Sequence, residues 1–291
     1  MKILVMGANG RLGKTLVRRY SQQGLDVQAI GRAELDLEKP DRVADTLSRY
    51  DFEVLINAAG NTDVDHCELN PANARLINAA SPAAAAAHCA QRGARFVHVS
   101  TDYVFAGDQP AARRETDPTG PINHYGRSKL EGEQAVLAAL PGALVTRVAW
   151  LFGIEKPSFP DWIIKQALAK EDVGAVDDKW SNPTFADDIT EWLLDLLQHQ
   201  AGGVVHLCNQ GGCSWLEYGQ ATLDIAASLG LPLKTRVARG HTMQGFAPFK
   251  AARPPFTTMD TGLFTRLTGT TPRPWQSALE DYLRRQYSPP S

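Results

Sequence analysis

The glycine-rich turn after the first apolar segment constrains the fold more than any other feature of this 291-residue chain. Residues 3–6 are typical of a buried strand, and the turn over 7–13 has the spacing GxxGxxG, a departure from the usual GxGxxG. Leu16, Val17 and Tyr20 then recur at helical spacing. A strand, a glycine turn and a helix in this order form a cradle for phosphate, because helix N–H groups point at the anion.

Apolar runs and helical patterns alternate through the first half of the chain. The runs after the first one lie at 27–30, 54–56, 96–99 and 144–153. This alternation predicts an α/β fold, a doubly wound parallel sheet of the Rossmann-like type. The second half is less regular and is interrupted by Pro248, Pro254 and Pro255, which predicts a smaller C-terminal substrate lobe. We expect the cofactor domain to comprise residues 1–152 plus about 185–212, and the lobe about 153–184 plus 213–291.

Composition and charge argue against several functional classes. The net charge is −2 and the pI about 6.4, with no basic run typical of nucleic-acid binding. The first apolar segment is too short for a signal peptide or a membrane span, so we expect a cytoplasmic protein. We interpret the four cysteines as reduced thiols, and we expect no metal because the acidic residues near His66 match no standard site.

Side chains suited to acid–base chemistry follow the apolar run at 96–99. Ser100 and Thr101 would lie at the carboxyl end of that strand, where open α/β sheets place their ligands. Tyr125 and Lys129 are four residues apart, so a helix would present both on one face. An ammonium beside a phenol favours phenolate, which predicts a lowered pKa for Tyr125 and a proton donor useful near neutral pH.

The residue that follows the second predicted strand indicates which nicotinamide cofactor the protein prefers. Arg32 occupies the position where an acidic residue would favour a free 2′-OH, whereas arginine accommodates a 2′-phosphate. Arg11 could reach the same phosphate from the glycine turn, and Asp36 could approach the adenosine from the next turn. We therefore predict that NADPH is preferred and that NADH is also accepted.

Taken together, these motifs resemble the extended short-chain dehydrogenase/reductases, and more narrowly the dTDP-4-dehydrorhamnose reductase family. The resemblance covers nearly the whole chain and adds the motifs Asn57-Ala-Ala-Gly60, Ser100-Thr-Asp-Tyr-Val-Phe105, Arg147-x-x-Trp150, Asn182-Pro-Thr184 and Ala252-Arg-Pro254. It implies NAD(P)H-dependent reduction of a 4-keto sugar carried on a nucleotide diphosphate.

The resemblance also implies roles for individual residues. Thr101 would bond the keto oxygen, Tyr125 would protonate it, and Lys129 would hold the nicotinamide ribose. The implied cofactor-binding residues are Gly7, Asn9, Gly10, Arg11, Leu12, Gly13, Arg32, Asp36, Leu37, Ala58, Ala59, Gly60, Thr62, Ser100, Tyr125 and Lys129. The implied substrate-binding residues are Thr101, Asp102, Tyr103, Val104, Trp150, Asn182, Thr184 and Arg253, the last facing the diphosphate.

Two departures from the family pattern and two other functions stay open. The turn from Asp177 reads Asp-Asp-Lys-Trp-Ser-Asn-Pro-Thr, where the family usually carries Asp-Gln-x-Gly before its Pro-Thr. Thr15 stands where some members carry a glutamate used in a metal-bridged dimer, so a homodimer is expected only as one option. The alternatives are a nucleotide-sugar epimerase or dehydratase, and a cofactor-binding regulatory subunit resembling the methionine adenosyltransferase beta subunit.

Overall fold

The computed structural model describes residues 1–246 and 249–288, so Pro248 and the last three residues of the expected lobe lie outside the described residues. The strands are β1 (Lys2–Met6), β2 (Asp26–Ile30), β3 (Val54–Asn57), β4 (Arg95–Thr101), β5 (Leu144–Val148), β6 (Leu151–Phe152), β7 (Val173–Val176), β8 (Trp180–Ser181), β9 (Thr184–Phe185), β10 (Gly203–Leu207), β11 (Cys213–Ser214) and β12 (Ala238–His241). The helices are α1 (Arg11–Gln22), α2 (Val43–Leu47), α3 (Val64–Leu69), α4 (Pro71–Arg75), α5 (Ser81–Arg92), α6 (His124–Ala139), α7 (Phe159–Ala169), α8 (Ala186–Gln198), α9 (Trp215–Ser228), α10 (Met243–Phe246), α11 (Gly262–Thr268) and α12 (Trp275–Tyr287). Two 3₁₀ turns, Pro40–Arg42 and Asp102–Val104, and a π-helical segment, Leu76–Ala80, complete the set.

A parallel sheet forms the centre of the molecule. Within the described residues it has six strands in the order β10-β5-β4-β3-β1-β2, and all neighbours are parallel. One face packs against α1 and α8 through residues such as Leu16 and Leu193, and the other against α2 and α5 through residues such as Leu47 and Ala85. Both faces of the sheet are therefore buried, and the predicted doubly wound architecture is confirmed.

The strand order reverses direction at β1, which has β2 on one side and β3 on the other. Ligands of open α/β sheets bind in the crevice at such a point. The glycine turn lies there and requires its glycines for close packing. A Cβ on Gly7 would lie 2.6 Å from the Ala59 nitrogen, and a Cβ on Gly13 would lie 2.1 Å from the Gly7 oxygen. The sequence pattern thus brings α1 against the backbone of the turn itself.

Gly13→Ala is expected to lower the free energy of unfolding by about 1–3 kcal/mol, because the added methyl overlaps backbone that cannot retreat. Gly142→Ala is the matched control, since a Cβ there meets nothing within 4 Å. That variant should be neutral or slightly stabilised. Urea unfolding of both variants checks the prediction, and equal midpoints would contradict it.

The later part of the chain packs mainly outside this sheet. α7, α9 and α12 form an aromatic-rich core of their own with Phe152 and Phe185. β7 pairs in parallel with β12, whose sequence Ala-Arg-Gly-His has no apolar pattern that would predict a strand. The π-helical segment joins α4 to α5, and such segments are often found at functional sites. In the chain as far as the structure describes it, no helix is long and apolar enough to cross a membrane.

Candidate active site

The carboxyl end of β4 turns directly into a short 3₁₀ turn. The Thr101 side chain caps this turn by accepting a hydrogen bond from the Tyr103 nitrogen at 3.2 Å. Its hydroxyl donates to Asp102 Oδ1 at 3.0 Å and lies close enough to the Tyr125 hydroxyl to influence the pKa of that phenol. Thr101 and Tyr125, predicted from separate motifs, are therefore in contact.

Two glycines of α6 allow the helix to reach this position. A Cβ on Gly126 would lie 2.2 Å from the Tyr103 oxygen, and one on Gly132 would lie 2.1 Å from the Asn78 oxygen. Asn123 caps the helix by accepting from the Gly126 nitrogen at 2.8 Å. The helix is thus pressed against both the 3₁₀ turn and the π-helical segment, and Tyr125 is held against Thr101.

The electrostatics of the Tyr125–Lys129 pair differ from the sequence expectation. Burial raises the pKa of Tyr125 well above its ordinary value, and the neighbouring Thr101 hydroxyl opposes that rise only in part. Lys129 Nζ donates to the Val99 oxygen at 2.6 Å, and burial lowers the pKa of this ammonium to about 8. The predicted lowering of the Tyr125 pKa by Lys129 is therefore wrong for this structure, because desolvation of the phenolate dominates and the nearby Asp102 carboxylate adds to the rise.

A buried ion pair supports α6 from below. Arg147 on β5 donates two hydrogen bonds to the Glu133 carboxylate, at 2.9 and 2.7 Å. Ser100 Oγ donates to the same carboxylate at 2.5 Å. Ser100, predicted to bind cofactor, thus uses its hydroxyl to fasten β4 to α6.

A cleft of about 790 Å³ lies at the reversal point of the sheet. Ten of the predicted cofactor-binding residues line it: Gly7, Asn9, Gly10, Arg32, Asp36, Leu37, Ala58, Ala59, Gly60 and Thr62. The remaining six, Arg11, Leu12, Gly13, Ser100, Tyr125 and Lys129, are not among its lining residues. Lys129 is nevertheless adjacent, since a Cβ on Gly60 would lie 3.9 Å from its Nζ.

The two arginines predicted to read a 2′-phosphate have different surroundings. Arg32 lines the cleft, is 77% exposed and pairs with Glu38 at 2.7 Å. Arg11 instead donates to the carbonyl oxygens of Lys156 and Pro157, at 2.7 and 2.9 Å. The Arg11 guanidinium therefore ties α1 to the loop before α7, and Arg32 alone keeps the predicted position.

Trp150 and Arg253 are linked by a chain of ring contacts. The Trp150 ring lies 5.4 Å from Trp215, which lies 6.3 Å from Phe249, and the Arg253 guanidinium lies 4.8 Å above Phe249. Trp150 also has a left-handed backbone, with φ of 42°, which costs energy in a non-glycine residue. Arg253 pairs with Asp65 at 3.0 Å. A shared substrate cleft for these residues stays a prediction.

Several other predicted substrate residues are buried beneath the site. The Asn182 side-chain amide accepts a hydrogen bond from the Met259 nitrogen and donates to the carbonyl oxygens of Asn209 and Gly211. Thr184 is fully buried, and its hydroxyl donates to the Asn182 carbonyl oxygen. Val104 is also fully buried, and both oxygens of Asp102 accept from neighbouring hydroxyls. Tyr103 packs edge-on against Tyr125 with ring centroids 5.5 Å apart. Asn182 also lines a second cavity of about 650 Å³, and a role of these residues in substrate binding stays a prediction.

Sequence reasoning missed part of the cleft wall. Asn61, Asp63, His66, Asn70, Asn73 and Ile77 line it as well. The Asn78 amide holds this wall, because it accepts from the Asn61 nitrogen at 2.8 Å and donates to the Ser128 hydroxyl at 3.0 Å. The polar side chain of Asn78 within an otherwise apolar helical stretch was the available signal.

Comparisons with known proteins agree with this geometry. The family model "RmlD substrate binding domain" matches residues 1–288. The dTDP-4-dehydrorhamnose reductase of Mycobacterium tuberculosis is 37% identical, covering 96% of this chain and 91% of that protein. A probable dTDP-4,6-dihydroxy-2-methyloxan-3-one 4-ketoreductase of Streptomyces antibioticus is 35% identical, with coverages of 97% and 94%.

A solved structure is similar over nearly the same length. It is a dTDP-4-dehydrorhamnose reductase of Bacillus anthracis in complex with NADP, with a TM-score of 0.90 and 29% identity. The alignment covers 98% of this chain and all of that one. The resemblance inferred from the motifs is confirmed, and the chain belongs to the RmlD substrate binding domain family.

Proposed function

We propose that this protein is an NAD(P)H-dependent reductase of a nucleotide-diphosphate-linked 4-keto sugar. The observation that carries the proposal is the contact between Thr101 and Tyr125 at the carboxyl end of β4, beside Lys129 and a cofactor-sized cleft. Membership of a family whose members include dTDP-4-dehydrorhamnose reductases supports the class of substrate.

The cleft fits a dinucleotide. Gly7 and Gly10 line the cleft beside the amino terminus of α1, whose first backbone N–H groups would face a diphosphate. Arg32 would hold a 2′-phosphate, and Lys129 beside Gly60 would hold the nicotinamide ribose. When bound, the reduced nicotinamide supplies the hydride.

The side chains of this chain supply binding and the proton. Tyr125 keeps its proton in the ground state because burial raises its pKa, and it donates that proton where negative charge develops on the substrate oxygen. Lys129, one helical turn after Tyr125 on α6, is fixed on the Val99 oxygen, where it would contact the nicotinamide ribose. Thr101 orients the phenol. Trp150 and Arg253 would contact the sugar and the diphosphate.

The decisive experiment is NADPH oxidation with a panel of nucleotide-diphosphate 4-keto sugars, using the free sugars as controls. Consumption of one NADPH per keto sugar reduced is the expected result. No net consumption, with NAD retained tightly on the purified protein, would favour an epimerase or dehydratase instead. Absence of turnover together with a stable complex with a larger synthetase would favour the regulatory alternative.

Arg32→Ala is expected to lower kcat/KM for NADPH roughly tenfold and to change that for NADH little. Charged hydrogen bonds to a 2′-phosphate contribute about 1.5–3 kcal/mol, and the 77% exposure of Arg32 reduces that figure. Arg42→Ala is the control, an exposed arginine outside the cleft. Equal losses with both cofactors would show that Arg32 does not read the phosphate.

Three further expectations belong to this proposal. We assign the cofactor to residues 1–152 plus about 185–212 and the substrate lobe to the rest, which is supported by β10 joining the main sheet and by the separate core around α9 and α12. A cytoplasmic location and a homodimer are proposed as well. Fractionation of the source cells and sedimentation of the purified protein test them.

A further inference from the structure

A buried lysine lies beneath the turn that carries Thr101. Lys179, between β7 and β8, is only 2% exposed. Its Nζ donates to the Pro254 oxygen at 2.7 Å and to Thr257 Oγ1 at 3.3 Å, and it lies 4.9 Å from the centre of the Tyr103 ring. Burying an ammonium is costly unless it is paired, so its partners indicate what it does.

The counter-charge is Asp102, which is 3% exposed. Its Oδ2 accepts from Thr257 Oγ1 at 2.5 Å and from Ser181 Oγ at 2.9 Å, while its Oδ1 accepts from Thr101 Oγ1 at 3.0 Å. One hydroxyl, that of Thr257, therefore joins the ammonium to the carboxylate. The two opposite charges form a hydroxyl-bridged pair within the protein interior.

This pair is continuous with the proton donor. Hydrogen bonds lead from Lys179 through Thr257 to Asp102 and on to Thr101, whose hydroxyl lies beside the Tyr125 phenol. Every side chain along this path is buried, from 0% exposure at Thr257 to 8% at Tyr125. Interactions between charges are strong at such low local dielectric, so a change at Lys179 is transmitted to the Thr101 hydroxyl.

We propose that Lys179 is a positioning residue: through Thr257 it holds the Asp102 carboxylate in place, and Asp102 fixes the Thr101 hydroxyl against Tyr125. The inference rests on the proposed reductase function. It assigns a role to Lys179, which lies in the polar turn from Asp177 to Thr184.

The charge on Lys179 changes within the pH range over which enzyme kinetics can be measured. Burial lowers the pKa of this ammonium to about 8, Asp102 opposes that shift, and Arg253 adds to it. The Tyr103 ring is the other group that faces it. As pH rises through about 8, Lys179 loses its charge and its hold on Asp102 weakens.

The test is the ratio of wild-type kcat to that of Lys179→Gln, measured from about pH 6.5 to about pH 9.5. Glutamine keeps amide donors and removes the charge. The expected ratio is on the order of tenfold at the acidic end, and it falls toward one above pH 8 because the wild-type lysine is then neutral. The KM for NADPH should not change. Lys165→Gln, at an exposed lysine of α7, should match wild type throughout.

A ratio that stays constant with pH would mean that Lys179 is only structural, and a ratio near one throughout would mean that its charge is not needed. Either result overturns the inference.

If wild type oxidises no NADPH with any keto sugar, the proposed function fails, and urea unfolding then tests the pair of Lys179 and Asp102 by itself. Asp102→Asn leaves the ammonium unpaired, so adding Lys179→Gln should raise the urea midpoint of that variant. A double variant no more stable than Asp102→Asn would overturn the pairing.

Discussion

Tyr125→Phe is expected to lower kcat by about 10²–10⁴-fold, because the substitution removes the proton donor and little volume. The Tyr125 hydroxyl contacts Thr101 and stays protonated, since burial raises its pKa. Cofactor affinity should persist, because Tyr125 does not line the cleft of about 790 Å³. Steady-state kinetics at saturating NADPH, with a separate binding titration, measure the two quantities independently.

Tyr50→Phe is the matched control for this experiment. It removes the same hydroxyl from a half-buried tyrosine that lies outside the cleft and packs beside α2. Its kcat should equal that of wild type. A Tyr125→Phe variant with nearly normal kcat would remove Tyr125 from the chemistry and favour the regulatory alternative.

Glu133→Gln is expected to lower the free energy of unfolding by about 3–5 kcal/mol. The side chains of Glu133 and Arg147 are 3% and 5% exposed, and the substitution leaves the guanidinium buried without its anion. The Ser100 hydroxyl also loses its charged acceptor. Because this pair joins α6 to β4 and β5, the loss should appear as a large decrease in the urea midpoint.

Glu131→Gln provides a control on the same helix with the same chemical change. Glu131 pairs with Arg75 at 2.7 Å, as short a contact as that between Glu133 and Arg147, but the two side chains are 43% and 69% exposed. Exposed pairs contribute about 0–1 kcal/mol, so this variant should unfold nearly as wild type does. Similar losses in the two variants would show that burial does not govern the strength of these pairs.

Local patterns were sufficient for the features that depend on neighbouring residues. The strand and glycine turn at the amino terminus predicted the phosphate cradle, because close backbone approach requires glycine at Gly7 and Gly13. The alternation of apolar runs predicted the parallel sheet, since buried strands are apolar on both faces. The spacing of Tyr125 and Lys129 predicted a shared helix, and α6 contains both.

Only the tertiary structure decided the features that depend on burial and on distant partners. The Tyr125 pKa is raised because the packing of α6 removes water from the phenol, whatever residue lies four positions away. Arg11 is directed to the loop before α7, and Lys179 is brought under Asp102, by contacts between segments far apart in the chain. Sequence by itself determined which residues could carry chemistry. The fold decided which of these residues are in contact and how far water is excluded from them. Contact and local dielectric together set their charges and their roles.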